Sequence, residues 1–181
     1  MTIIILVAIL AILVLWFISA QRKLVSMDEN INNAMSQIGV QLSSRWDALT
    51  ALLDLTKGYA EHEYKTISDT IKMRTSITAK STAEDVNAQE NVLTEAMGKI
   101  MAVAEAYPEL KANENYVNTM DSVNAYEEMV RKSRLVYNDS VTKLNRTIRM
   151  FPTSIAAGML GIRSREYLET DTKKADMPNL K

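Results

Sequence analysis

The chain has 181 residues, no cysteine, and 21 basic against 22 acidic side chains, a net charge of −1. The lack of Cys excludes disulfides, thiolate catalysis and Cys-based metal sites, and the balanced charge leaves no basic footprint for nucleic acid. Five Gly and three Pro leave long uninterrupted stretches, which favours helices over a turn-rich β fold.

The first element is apolar throughout. Ile3 to Ile18 reads IIILVAILAILVLWFI, and Arg22-Lys23 are the first charges after it. At ~1.5 Å per residue the uncharged run from Thr2 to Ala20 is about 28 Å long, close to the hydrocarbon thickness of a bilayer. Trp16 and Phe17 sit at its end, where an aromatic interface anchor belongs. A cleaved signal peptide competes with this reading, and Ser19-Ala20 suits cleavage, but no basic n-region precedes the apolar run. The run therefore predicts an uncleaved transmembrane anchor over residues 1–21. Basic residues follow the span and none precede it, so the positive-inside rule puts the N-terminus outside and the remainder in the cytoplasm.

The next element continues in helical period. Leu24, Ile31 and Ile38 recur every seven residues, with Met35, Leu42 and Leu49 as partner row, and the phase runs on through Leu53, Ala60, Ile67 and Ile71. Membrane helix and soluble helix can thus form one rod, with candidate bends at Ser43–Asp47 and at Gly58. The spacing predicts helices over about 24–45 and 48–80. Ser81 and Glu84 have capping-box spacing, which starts a third helix running from 84 to about 106, where Pro108 ends it. Asn113 or Asn115 can cap a fourth, over about 114–150.

In this last helix Val123, Val130, Tyr137, Leu144 and Phe151 form one seven-residue row, and Met120, Val141 and Ile148 its companion. Glu127 and Arg134 fall in the companion row. They either snorkel at the rim or make an interior polar contact that sets register. The stripes must face one another. With short connections, the expected fold is all-α: an N-terminal transmembrane helix followed by an antiparallel up-and-down four-helix bundle with long helices over residues 22–152. Residues 153–169 make a short apolar, membrane-proximal segment, and 170–181 a flexible charged tail.

Several blocks resemble the LemA family: Ser36-Gln37-Ile38-Gly39-Val40-Gln41-Leu42, Arg45-Trp46-Asp47, Lys57-Gly58-Tyr59-Ala60-Glu61-His62-Glu63, Val103 through Asn113, Tyr137-Asn138-Asp139 and Phe151-Pro152. They occur in family order and, with the anchor, cover nearly the whole chain. The resemblance implies a bacterial membrane protein with a four-helix bundle behind one membrane helix and no established enzymatic activity. Family members usually carry Pro where this chain has Thr50, which implies a helix break just before it.

Nothing in the sequence has catalytic spacing. His62 is the only His, and the positions one helical turn away hold Gly58, Tyr59, Lys65 and Thr66 rather than metal ligands. Glu127-Glu128 and Glu61/Glu63 read as solvated faces. No phosphate-binding Gly loop occurs, and the eleven Met residues read as core and span filler. The expectation is no enzyme, no cofactor and no metal.

Two surfaces are candidates for binding. Tyr107, Pro108, Leu110, Lys111 and Asn113 form a helix–helix turn that can also serve as a docking loop at the bundle tip. In an up-down-up-down bundle the fourth helix ends at the membrane. Ile155, Met159, Leu160 and Ile162, with Arg163 and Arg165 behind them, then reach the bilayer, or else fold over the bundle end. The expected partners are membrane lipid, further copies of the chain, and an unidentified membrane protein. The expected function is a homo-oligomeric structural scaffold at the membrane; the alternative is a membrane-tethered adaptor that docks another membrane or cytoplasmic protein.

Overall fold

The computed structural model describes residues 1–168, so the tail expected over 170–181 lies outside the described residues. Six helices and no strand occur among them: α1 (Thr2–Thr56), α2 (Glu61–Ile71), α3 (Ala83–Ala106), α4 (Pro108–Lys111), α5 (Glu114–Arg149) and α6 (Thr153–Leu160).

The first helix is unbroken for 55 residues, about 82 Å at 1.5 Å per residue. Its start is long and apolar enough to cross a membrane. The break expected before residue 50 is not there. Thr50 donates its hydroxyl to the Trp46 carbonyl at 2.9 Å, and Leu42, Trp46, Leu49 and Leu53 are buried along one face. With no Pro to interrupt that stripe, the helix runs on. The turn comes instead around Gly58, where Tyr59 and Ala60 both donate to the Thr56 carbonyl.

The long helix expected over 48–80 is replaced by the end of α1, the 11-residue α2 and a non-helical stretch. Residues 72–82 are rich in Ser, Thr and Lys, weak in apolar period. Their backbone is held by side chains from elsewhere. Thr75 N–H donates to Gln89 Oε1 at 2.8 Å and the Met73 carbonyl accepts from Gln89 Nε2 at 3.5 Å, while the Arg74 side chain pairs with Asp47 at 2.6 Å. The stretch crosses α1 at Gly39, so closely that a Cβ added there would overlap the Ile77 carbonyl oxygen. Gly39 is therefore a close-approach position. Four long helices do not describe this chain; the second arm is half helix and half irregular chain.

Contacts fix the directions. Tyr64 reaches back to Asp54, and Arg74 to Asp47, so the second arm descends along α1. Thr75 meets Gln89 and Lys99 meets Thr70, so α3 climbs again. Arg45 pairs with Glu127, and Arg165, which hydrogen-bonds Asn145, pairs with Asp28, so α5 descends beside α1. The α1–α5 contact is by far the most extensive.

Local signals explain the ends. Helix α3 has a capping box one residue later than expected: Thr82 Oγ1 accepts from Asp85 N–H, and Asp85 accepts from Thr82 N–H. Those bonds hold the Asp85 carboxyl below its usual range. Ser81 is taken by the turn before it, accepting from Thr78 N–H. Asn113 caps α5 by accepting from Asn115 and Tyr116 N–H.

The rows at 24/31/38, 35/42/49 and 123/130/137/144 are buried. Phe151, last of its row, is exposed because α5 has ended. Replacing Val130 or Leu144 with Asp buries a charge with no partner and is expected to abolish the cooperative thermal transition followed by circular dichroism; variants that melt with the parent would show that the stripe is not the core.

Candidate interaction surfaces

Residues Tyr107–Asn113 sit at the end of the domain farthest from the apolar run. Pro108 opens α4, Leu110 is wholly buried, and Asn113 is spent capping α5. These three build the turn. Tyr107 and Lys111 remain exposed. The Tyr107 ring meets Tyr59, at 6.0 Å between centroids, so the α1–α2 and α3–α4 turns form one tip. Sequence reasoning missed Tyr59 because nothing in its spacing reports a partner forty-eight residues on.

His62 is exposed on α2, and among the described residues no group of three His, Asp or Glu side chains could hold a metal ion. Glu127 and Arg134 both pair across helices, Glu127 from a partly exposed rim position and Arg134 from a more buried one. Glu127 accepts from Arg45 at 2.7 Å, and Arg134 pairs with Glu90 and bonds Asn87 at 3.3 Å. They tie α5 to α1 and α3. Burial lowers the Arg45 guanidinium from its ordinary value, and Glu127 opposes that shift.

At the opposite end the candidate membrane-contact residues divide. Ile155 and Met159 are exposed, whereas Leu160 and Ile162 pack on the core. Arg163 is exposed, and Arg165 is bound to Asp28 at 2.8 Å.

Behind α6 the chain turns back as an extended segment along α5. Asn145 donates to the Arg165 carbonyl and accepts from Arg165 N–H, both at 2.9 Å. Asn138 treats Leu168 the same way, also at 2.9 Å. Seven helical residues rise ~10.5 Å and three extended residues ~10 Å, so the two amides match the segment's backbone repeat. Tyr137 donates to the Glu166 carbonyl between them, and burial pushes its phenol up. The sequence signal for this clamp was two Asn one heptad apart beside a buried Tyr.

A further surface lies along the α1–α5 seam. Two shallow grooves follow one side of it. Ser44, Asp47 and Ser122 line the first, of about 430 Å³. Asn33, Val136 and Ser140 line the second, of about 330 Å³. The lining is mostly neutral amide, hydroxyl and small apolar groups.

The sequence comparisons give one family and two relatives. The family model described as "LemA family" matches residues 34–181. Magnetosome protein MamQ 1 and Magnetosome protein MamQ 2, both of Paramagnetospirillum magneticum, are 30% identical to the chain over 74 residues. That stretch is 41% of this chain, which covers 27% of each relative's length.

Proposed function

The chain belongs to the LemA family, and from that premise we propose that it is a non-enzymatic single-pass membrane protein acting as a homo-oligomeric structural scaffold. One observation carries the reading. The helix with the apolar run also forms one wall of the uncovered seam, without a break between the two. A seam built on a membrane-crossing rod stands up from the bilayer and faces sideways. What meets it at matching height is another protein anchored in the same membrane, and a second copy always satisfies that geometry. Confinement to a surface raises effective concentration, so weak lateral contacts suffice. The nearly neutral lining lets identical copies approach without repulsion.

The up-and-down arrangement of four arms, with the second arm shortened, serves this role by keeping α1 and α5 side by side. The cytoplasmic orientation rests on Arg22 and Lys23 following the span.

The test is particle mass in lipid nanodiscs. The full chain is expected as a homogeneous multi-copy particle, and removal of residues 1–20 is expected to reduce the copy number strongly. A monomer at all concentrations would overturn the scaffold. It would favour the second reading, an adaptor that docks another membrane or cytoplasmic protein through the Tyr59–Tyr107 tip, where Tyr107 and Lys111 are exposed beside the half-buried Tyr59 ring.

A further inference from the structure

The base of the domain carries an apolar face that the protein itself leaves open. Ile155 and Met159, four residues apart on α6, are 52% and 72% exposed, and Phe151, in the turn just before that helix, is 80% exposed. The opposite side of α6 is committed to the domain: Ala156 and Ala157 are buried, and Leu160 packs on the core. The two small residues let α6 lie close against both α1 and α5.

Position decides what covers the open face. Helix α5 descends past Asp28 of α1, which is met by Arg165, itself bonded to Asn145, and ends four residues after Asn145. Helix α6 therefore packs on α1 below that level. Trp16 and Phe17, near the end of the apolar run, are half-buried and Ala20 is buried, whereas the residues before them are exposed, so the domain reaches down α1 to this level, and α6 is an element that packs on α1. If Thr2–Ala20 spans about 28 Å of hydrocarbon, α6 lies at the level where acyl chains give way to head groups.

Charge agrees. Arg22, Lys23, Arg146, Arg149 and Arg163 are exposed around this end, and residues 140–165 contain no Asp or Glu. The helix is also held at its C-terminal end. Gly161 closes it at φ 67°, a left-handed conformation that favours glycine, with Ile162 N–H donating to the Ala157 carbonyl. Beyond it Arg165 is clamped by Asn145 and Asp28.

We propose that α6 is an interfacial foot: Phe151, Ile155 and Met159 insert at the bilayer interface beside the membrane helix, and the surrounding basic side chains meet anionic head groups. The domain then has two attachments, a span and a foot, which fix its tilt and rotation. For a scaffold this aims the lateral seam. The inference rests on α1 crossing the membrane.

The experiment uses the full chain, cysteine-free as it stands, with single nitroxide-labelled cysteines at Leu10, Asn91 or Met159. Each is reconstituted in phosphatidylcholine vesicles with and without phosphatidylglycerol. Collision rates with oxygen, which concentrates in lipid, and with a water-soluble nickel complex give the surroundings of each label. At Met159 the oxygen-to-nickel ratio is expected to exceed that at Asn91 severalfold, and to fall towards it with Ile155→Asp or without phosphatidylglycerol. Ile155 is exposed, so that variant should fold. A lipid signal at Leu10 with a water signal at Met159 overturns the foot and leaves the anchor standing. A water signal at both defeats the anchor itself. Shielding of Met159 from both reagents means that protein covers it and overturns the proposal. A ratio indifferent to phosphatidylglycerol removes the role of the basic collar.

Discussion

Gly39→Ala is expected to destabilise the domain by about 2–4 kcal/mol, far beyond the usual cost of an added methyl. The new Cβ would overlap the Ile77 carbonyl oxygen and lie 3.0 Å from its carbonyl carbon. Both atoms are backbone, so no rotamer change relieves the clash. The stretch through Arg74–Thr78 must lift off α1, loosening its bonds to Gln89 and Asp47. Gly98 is the control. It lies exposed inside α3 with nothing within 4 Å of an added Cβ, so Gly98→Ala should stabilise by up to ~1 kcal/mol through helix propensity alone. Urea unfolding of the two variants gives opposite shifts of midpoint. In hydrogen exchange the Thr75 amide loses protection only in the Gly39 variant. A Gly39→Ala protein as stable as its parent would mean that the non-helical half of the second arm does not cross α1 there.

Glu127→Ala is expected to cost about 2–4 kcal/mol, because it strands a charge. Arg45 is 5% exposed, its Nε has no acceptor among the described residues, and burial already pulls its guanidinium down despite Glu127. The lower end of the range is set by Glu127, whose side chain is 37% exposed and lets water reach the remaining charge. Arg45→Leu combined with Glu127→Leu should recover most of the loss, since an apolar pair of similar volume removes the desolvation cost. A double mutant as unstable as the single would mean that the pair contributes more than it costs to bury.

These residues show what the sequence carried. The seven-residue rows marked buried faces from Leu24 to Leu144, because helical period is a local property. Pro108 and Asn113 marked helix ends for the same reason. The shortened second arm was not legible: Ile67 and Ile71 continued the phase of α1, and the reason the helix stops lies in Gln89, Asp47 and Gly39, distant in sequence. Ser81 and Thr82 both have an acidic residue three positions on, so spacing alone could place the α3 cap one residue early. Glu127 and Arg134 stood out as breaks in a row, yet their partners Arg45 and Glu90 could be found only in three dimensions. At the base, the apolar residues of α6 were visible, but not their division into an open face and a packed one. Arg165 was read as a head-group contact, whereas Asp28 holds it.

In the proposed scaffold the seam between α1 and α5 faces other copies in the membrane. Single cysteines at Asn118 or Ser140, which line the two grooves, and at Asn91 on the exposed side of α3, place a short bismaleimide cross-linker on either face of the full chain in native membranes. Linked dimers from the seam positions, with little or none from Asn91, are the predicted result. Equal linking from both faces, or monomer from all three, would contradict it.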